Sequence, residues 1–344
     1  MSVGLVHDPI YQEHDTGPHV ESPSRLKRTE EHLRETGMLE KLVDIRPRAA
    51  AVEELTTIHS PGYVTYVEDF ARRDGGWLDP DTVVSPASYN VALCAAGGLL
   101  EAVDAVMEER VSSAFAAVRP PGHHSTRWEA MGFCIFNNIA VAAAHATDTH
   151  ELERVLIADF DVHHGNGTQD AFYQNPHVMY FSTHQYPFYP GTGRVEESGE
   201  GAGAGTTLNV PLPAYCGDDQ YLRVLDEILV PAAERFKPQL ILVSAGYDAH
   251  WADSISMMQV STTGYAGMVR ALKGLADGLC GGKMVFTLEG GYNLDALASS
   301  IKATLDVLLD ADSIVDPLGP PAAARGAPDI DSLLQTVKKT HRLD

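Results

Sequence analysis

Short apolar runs alternate with longer amphipathic stretches along most of this 344-residue chain. The short runs predict buried strands, and the longer stretches, with apolar residues three to four positions apart, predict helices. The predicted strands are residues 3–6, 114–118, 155–160, 178–182, 240–243 and 284–288. The predicted helices are residues 25–36, 89–109, 138–146, 221–235, 264–279 and 294–309. Strands that alternate with helices favour an α/β fold, with a mostly parallel sheet covered by helices on both faces.

Metal-ligating side chains follow two of these strands, at the edge where open parallel sheets place their ligands. Asp159, Asp161 and His163 alternate along the third strand and the loop after it, so they share one face. Asp248 follows the strand at 240–243 and supplies a third ligand to Asp161 and His163. Two carboxylates and an imidazole with an open fourth position suit a catalytic zinc, with ferrous iron and manganese as rivals.

Two further strands end in residues that fit the same site. His123 and His124 follow a Pro-Pro-Gly turn, and adjacent histidines beside a metal indicate proton-transfer chemistry. Gly290 and Gly291 allow the backbone to approach a site closely, and they would present the hydroxyl of Tyr292. The four strand ends together predict a metallohydrolase.

These segments closely resemble the signature of the histone deacetylase superfamily, with the bacterial class II-like deacetylase and acetylpolyamine amidohydrolase group as the nearest match. The matching motifs are His19-Val-Glu-Ser-Pro-Ser-Arg25, Arg119-Pro-Pro-Gly-His-His124, Asp159-Phe-Asp-Val-His-His-Gly-Asn-Gly-Thr168, Ser244-Ala-Gly-Tyr-Asp248 and Glu289-Gly-Gly-Tyr292. Val20 departs from the family's proline. Several long motifs in the family's order are far more specific than one short pattern. The resemblance implies the arginase/deacetylase fold, a three-layer α/β/α sandwich around an eight-stranded parallel sheet.

The resemblance implies one zinc ion per chain, held by Asp161, His163 and Asp248. The related ureohydrolases bind two manganese ions through additional aspartates. This chain has Gly165 and His250 at those positions. A single catalytic metal is therefore expected.

The family pattern also implies a role for each catalytic side chain. His124 is the general base and then the acid that protonates the leaving amine, while His123 supplies charge and a hydrogen bond to the water. Asp159 orients His123, and Asn166 orients His124, where class I members have a second aspartate. Tyr292 donates its hydroxyl to the oxyanion, and its presence distinguishes the chain from the weakly active class IIa branch.

The resemblance further implies a narrow substrate tunnel. Gly132 and Phe133 form one wall, Tyr189 stands on the other in place of the usual phenylalanine, and Gly290 lies near the metal. Ile255 borders the mouth, where polyamine-specific relatives of the eukaryotic type carry a glutamate. An aliphatic residue offers no charge to a second amine, so acetyl-lysine peptides are expected to react at least as efficiently as acetylpolyamines. An acidic residue in another loop remains an alternative selector, and the candidates are Glu13, Asp79 and Asp81.

A potassium site near the zinc is the weakest implication of the resemblance. It would use Asp159, Ser182 and the main-chain carbonyls of Asp161, His163 and Thr183. Isolated histidines outside the metal motifs are more often structural or surface residues than ligands, so they are given no role: His7, His14, His59, His145, His150, His177 and His184.

Charge and composition restrict the partners. The formal net charge is −22, which disfavours nucleic-acid binding and favours cationic substrates such as basic peptides or polyamines. Four widely spaced cysteines, at 94, 134, 216 and 280, are expected to be reduced core thiols of a cytoplasmic protein. No apolar run reaches the ~20 residues of a membrane span.

We expect a single domain over residues 1–344, with a tail from about 317 that packs on the outside. Homo-oligomerisation is left open.

Three functions are compatible with these residues. The first is a zinc amidohydrolase that removes acetyl groups from lysine side chains or similar amines, including polyamines and small metabolites. The second is a binuclear ureohydrolase on the same fold, which the missing aspartates oppose. The third is a non-catalytic acyl-lysine binder, which would need a damaged catalytic set, and none of the motif residues is damaged.

Overall fold

A computed structural model describes residues 2–321 and 325–343. The strands are β1 (Val3–Val6), β2 (Val43–Ile45), β3 (Gly76–Trp77), β4 (Val83–Val84), β5 (Ser113–Ala116), β6 (Val155–Asp159), β7 (Val178–Gln185), β8 (Thr207–Leu212), β9 (Leu240–Ala245) and β10 (Met284–Leu288). Eight of them form one sheet in the order β2-β1-β5-β10-β9-β6-β7-β8, and every pairing in it is parallel. The predicted eight-stranded parallel sheet is confirmed.

Helices connect these strands and cover the sheet. They are α1 (Ser24–Glu35), α2 (Val52–Leu55), α3 (Pro61–Arg72), α4 (Ser88–Met107), α5 (Asn138–Asp148), α6 (Asn166–Phe172), α7 (Asp218–Val224), α8 (Val230–Phe236), α9 (Thr262–Cys280), α10 (Leu294–Leu308) and α11 (Asp331–His341). Helices α1, α7, α9 and α10 pack in one group, and α2 to α6 pack in another. Strand β9 contacts α5 from one group and α9 from the other, which gives the three layers of the sandwich.

The sequence pattern missed the two-residue strands β3 and β4, which pair only with each other, and the two edge strands of the main sheet, β2 and β8. Only Ile45 of β2 is buried, so its three residues carry no apolar run. Strand β8 contains Pro211, which breaks a strand pattern but is tolerated at an edge, where one side of the strand needs no partner. Both strands pair with a single neighbour.

The predicted helix at 221–235 is present, but it is not α-helical throughout. A π-helical turn, Leu225–Leu229, separates α7 from α8, and Pro231 lies in the first turn of α8. Proline has no N–H to donate into the preceding turn, and a wider turn accommodates that missing hydrogen bond.

Helix α4 is long and strongly apolar. By length and composition it could cross a membrane, with a mean hydropathy of 1.5 over an 18-residue window, although polar residues interrupt its apolar run. However, 67% of that window is buried inside the protein, and α4 packs against β1, β5, β10 and α5. Its apolar character is accounted for by its position as an internal helix of the sandwich.

Two smaller expectations concern the tail and the cysteines. Helix α11, in the predicted tail, packs on β8 with Leu334 and Val337 buried. The division into one domain stays a prediction. All four cysteines are free thiols, but only two of them are buried, so Cys94 and Cys280, which are half-buried, are not core thiols.

Candidate active site

The four predicted motif loops lie side by side because their strands are neighbours. Strands β5, β10, β9 and β6 are consecutive and parallel in the centre of the sheet, so their carboxyl ends meet at one edge. The loops after these strands carry the histidine pair, the Glu-Gly-Gly-Tyr segment, Asp248 and the Asp161–His163 pair, respectively. The sheet order alone therefore brings together residues that are up to 170 positions apart in the chain.

Asp161, His163 and Asp248 converge on one point with the spacing of metal ligands. His163 Nδ1 is 3.1 Å from Asp161 Oδ1 and 3.2 Å from Asp248 Oδ2. Zinc bonds of about 2.0–2.1 Å place tetrahedral ligands roughly 3.3 Å apart, so the observed separations match. Asp248 Oδ2 is buried and has no hydrogen-bond partner, although His163 lies near it. An unpaired buried carboxylate oxygen aimed at two other ligand atoms fits a divalent cation.

The other carboxylate oxygens are held by backbone amides. Gly290 N donates to Asp161 Oδ2 at 2.8 Å, and Val162 N donates to Asp248 Oδ1 at 3.0 Å. Burial and the negative charge of Asp161 raise the pKa of Asp248 to about 6. Two buried carboxylates this close repel each other, so a bound cation would stabilise the pair in its ionised form.

Each of the paired histidines has a hydrogen-bond partner at Nδ1. Asp159 Oδ2 is 3.0 Å from His123 Nδ1, and Asn166 Oδ1 is 2.9 Å from His124 Nδ1. Their ring centroids are 4.1 Å apart. Tyr180 donates to the same oxygen of Asp159 at 3.0 Å, a support that the sequence analysis missed.

Different neighbours give the two imidazoles different protonation states. Burial alone would lower the pKa of His123, but the carboxylates of Asp159 and Asp161 outweigh it and raise this pKa to about 10. Burial and the positive charge of His123 hold the pKa of His124 well below its usual value. His124 is therefore neutral near pH 7 and able to accept a proton, whereas His123 is protonated.

Glu289 is a buried carboxylate to which the sequence analysis gave no role. Its Oε2 accepts hydrogen bonds from Gly122 N at 2.7 Å and His123 N at 3.2 Å, and its Oε1 accepts one from Ser244 Oγ at 3.1 Å. This side chain therefore connects the loops after β5 and β10 to the end of β9. The only sequence signal for a role of Glu289 was its place in the Glu-Gly-Gly-Tyr segment.

Tyr292 is positioned by contacts on several sides. Its backbone N–H donates to Asp253, a second residue missed from the sequence. Its ring packs edge-on against Phe133, with centroids 5.8 Å apart, and the Arg25 guanidinium lies 5.0 Å from the ring centre. Burial raises the pKa of the Tyr292 hydroxyl well above its usual value, so the hydroxyl remains a hydrogen-bond donor.

A cavity of about 250 Å³ leads to these groups. Its lining contains all five residues predicted for the tunnel, four of the predicted catalytic or metal-ligating residues, and three more residues. It is formed by Asp81, Pro121, His123, His124, Gly132, Phe133, His163, Phe188, Tyr189, Ile255, Gly290 and Tyr292. Phe188 stacks on His163 with ring centroids 5.3 Å apart, and Tyr189, which is 38% exposed, packs edge-on against His124. The wall predicted as Tyr189 alone is therefore a pair of aromatic residues.

A model of the histone deacetylase domain matches residues 19–308 of this chain. The chain belongs to the histone deacetylase family. It is 42% identical over 309 residues to Histone deacetylase 14, chloroplastic, of Arabidopsis thaliana, and covers 73% of that protein with 86% of its own length. It is 41% identical over 298 residues to a probable deacetylase of Archaeoglobus fulgidus, covering 86% of this chain and 82% of that protein.

Two further relatives extend the comparison. The human Polyamine deacetylase HDAC10 is 38% identical over 332 residues, which cover 93% of this chain and 48% of the human protein. The crystal structure of the HDA15 HD domain superposes with a TM-score of 0.88 at 35% identity, over 99% of this chain and 94% of that one. The arginase/deacetylase fold of the family is thereby confirmed.

The family's first motif, at residues 19–25, contacts the loop after β10, which carries Tyr292. Glu21 is fully buried between two arginines, with Arg119 Nη2 at 2.8 Å and Arg25 Nη1 at 3.1 Å from its carboxylate oxygens. Arg25 also donates through Nε to the Gly291 carbonyl at 2.7 Å. Burial alone would raise the pKa of Glu21, but Arg119 outweighs it and lowers this pKa to about 2.

The second-metal positions carry no ligand directed at the centre. His250 Nε2 lies 3.4 Å from Thr262 Oγ1, and its Nδ1 accepts from Ala252 N at 3.1 Å. Gly165 packs so closely on the His123–Asp159 pair that a side chain there would collide with both.

The predicted potassium site stays a prediction. Ser182 lies beside Asp159 in the β6–β7 register, but its hydroxyl is 2.9 Å from His184 Nδ1. The Thr183 hydroxyl is buried without a partner.

Proposed function

We propose that this protein is a zinc-dependent hydrolase that removes acetyl groups from N-acetyl-lysine side chains or similar acetylated amines. The observation that carries the proposal is the convergence of Asp161, His163 and Asp248 beside a neutral His124, at the base of an aromatic-lined cavity. Membership of a family whose relatives are named deacetylases supports the same chemistry.

The three ligands would hold one zinc ion, which supplies Lewis-acid chemistry by lowering the pKa of a water from 15.7 towards about 7 and polarising the acetyl carbonyl. His124 accepts the proton of the attacking water and then returns it to the departing amine. Asn166 keeps His124 Nδ1 engaged, which leaves Nε2 as the reacting nitrogen. His123 is protonated because the Asp159 carboxylate raises its pKa. Its positive charge then stabilises the negative charge that develops next to it during the reaction.

Tyr292 has the role of an oxyanion donor in this proposal. A hydroxyl that stays protonated offers its hydrogen to the carbonyl oxygen as charge develops on it. Phe133 and Arg25 restrict the ring, so little reorganisation is needed when the reaction occurs.

Phe133, Phe188 and Tyr189 favour a linear alkyl chain as the part of the substrate next to the acetyl group. Flat aromatic rings bury methylene groups at low entropic cost, and the four methylenes of a lysine side chain match that requirement. A potassium ion bound near Asp159 belongs to the same proposal.

An acetylpolyamine is the second candidate substrate because Asp81 lines the cavity and the net charge of the chain is −22. A carboxylate at the cavity would attract the distant ammonium group of such a substrate. Against it, Ile255 lines the same cavity and carries no charge. We propose that acetyl-lysine peptides are used at least as efficiently.

The test compares kcat/KM for an acetyl-lysine peptide, acetylputrescine and acetylspermidine on the zinc-loaded enzyme. The wild type should show equal or higher values for the peptide. Ile255→Glu should shift the ratio towards acetylspermidine by about 10- to 100-fold, the effect of a charge pair worth ~1–3 kcal/mol. Ile255→Gln is the uncharged control. A wild-type preference for polyamines above tenfold would contradict the argument from Ile255, and failure on every acetylated amine would contradict the proposed function.

A further inference from the structure

A second group of metal-ligating side chains lies outside the active site. Asp104 belongs to α4, His145 belongs to α5, and His150 lies two residues after the end of α5. One ligand atom from each lies within 4.8 Å of the others. Within residues 2–321 and 325–343, only the catalytic Asp161 group shares this property.

The two imidazoles point at the same carboxylate oxygen. His145 Nε2 and His150 Nε2 are each 2.7 Å from Asp104 Oδ1. Their rings are nearly perpendicular, at 85°, with centroids 5.4 Å apart, so they approach the oxygen from different sides. A movement of well under 1 Å by each side chain would lengthen these N···O distances to roughly 3.3 Å, the separation of ligand atoms around a tetrahedral zinc ion.

The surroundings also suit an ion. Thr149 Oγ1 is 3.2 Å from His145 Nδ1, and an imidazole that binds a metal through Nε2 carries its hydrogen on Nδ1, where a hydroxyl can accept it. In the described part of the chain, no lysine or arginine pairs with Asp104. The only ion-pair partners of Asp104 there are the two imidazoles, so no permanent positive charge competes with a bound cation.

The site is reachable from solvent. The side chains of His145, His150 and Asp104 are 10%, 17% and 21% exposed, respectively. An ion can enter without unfolding and keep water at its remaining position. Two imidazole nitrogens and one carboxylate oxygen suit zinc better than magnesium or calcium, which prefer oxygen ligands.

We propose that Asp104, His145 and His150 bind a second, non-catalytic zinc ion that ties α4 to the end of α5. This ion adds to the one per chain predicted from the sequence. The site precedes β6, whereas the catalytic ligands follow β6, and the five residues of that strand span about 13 Å. The two ions are therefore at opposite ends of the strand, and the second one serves stability and not the reaction.

Zinc counting on the intact chain tests the proposal. Wild-type protein loaded with zinc chloride and freed of excess metal should contain two zinc ions per chain. Asp104→Asn and the double variant His145→Gln/His150→Gln should each contain one and keep deacetylase activity. His177→Gln, which replaces an exposed histidine bonded to a backbone carbonyl, is the matched control and should keep two. One zinc per chain in both the wild type and these variants would overturn the proposal.

Thermal unfolding of a variant that lacks two of the catalytic zinc ligands gives an independent readout. With Asp161→Asn/His163→Gln as background, zinc chloride at about 100 times the dissociation constant should raise Tm by roughly 4 °C. Adding His150→Gln should abolish that shift, and adding His177→Gln should not. A zinc-independent Tm in the background variant would overturn the proposal even if the other variants fold poorly, and it would leave the proposed deacetylase activity untouched.

Discussion

At the residue scale, the two adjacent histidines differ because their Nδ1 partners differ. A buried carboxylate faces His123, whereas the neutral amide of Asn166 faces His124. The two histidines were evident from the sequence. Their partners, Asp159 and Asn166, followed once the family was recognised. The opposite protonation states follow from burial and from the distances between charges, which the sequence does not contain.

Tyr292→Phe should lower kcat by about 100-fold while the zinc content stays unchanged. The lost hydroxyl serves the transition state more than the ground state, and one oxyanion donor contributes on the order of 3 kcal/mol. Steady-state kinetics on the best acetylated substrate, together with metal analysis, measure both quantities. Tyr189→Phe, which removes a hydroxyl from the same cavity, is the control and should change kcat by less than about fivefold. A near-normal kcat for Tyr292→Phe would show that another group stabilises the oxyanion.

At the scale of secondary-structure elements, the site depends on how closely two loops approach each other. The loop after β10 approaches the metal ligands at Gly290, where a Cβ atom would lie 2.6 Å from Asp161 Oδ2 and would also collide with the Asp248 carboxylate. The sequence predicted a close approach at the two glycines. The identity of the groups they approach required the sheet order, in which β10 lies next to β9.

Gly290→Ala should therefore lower zinc content and activity together. Its φ angle lies outside the left-handed region, so the expected effect comes from the collision with the carboxylates and not from backbone strain. We expect at least a tenfold loss of zinc affinity, about 1.4 kcal/mol, measured by competition with a chelator. Gly278→Ala in α9 meets nothing within 4 Å and should leave zinc binding unchanged, with slightly higher stability. Full zinc affinity in Gly290→Ala would mean that the ligands are not held as described.

The cluster of Glu21, Arg25 and Arg119 links the first motif to the loops of the active site. Glu21→Gln leaves two buried guanidinium groups without a carboxylate, which should cost about 3–5 kcal/mol at pH 7. The pKa of Glu21 is depressed from 4.5 to about 2 in the folded protein, so its stabilisation is complete above pH 4.5 and is lost as the pH falls towards 2.

Chemical denaturation of the wild type and Glu21→Gln between pH 7 and pH 2 measures this dependence. The difference in unfolding free energy should be constant from pH 7 to pH 5 and then shrink by about 3 kcal/mol as the pH approaches 2. Asp295→Asn is the control, because Asp295 pairs with Arg28 at the surface and should show a difference of no more than about 1 kcal/mol. A pH-independent difference for Glu21→Gln would contradict the depressed pKa.

At the scale of the whole molecule, the central strands and the four motifs were predictable because buried parallel strands are continuous apolar runs and the motif residues lie directly after them. Short edge strands such as β2 carry no such run. His145 and His150 were assigned no role because their carboxylate partner, Asp104, is about 40 residues earlier on another helix. Only the packing of α4 on α5 brings these three residues together.

The central claim is that Asp161, His163 and Asp248 hold one catalytic zinc. The most direct measurement is zinc titration of the chelator-stripped His145→Gln/His150→Gln variant, in which the second site is removed. Deacetylase activity should be absent before titration and rise linearly to a plateau at one zinc per chain. Asp248→Asn in the same background should stay inactive over that range of zinc. Activity that survives complete metal removal, or that requires two manganese ions per chain, would contradict the account.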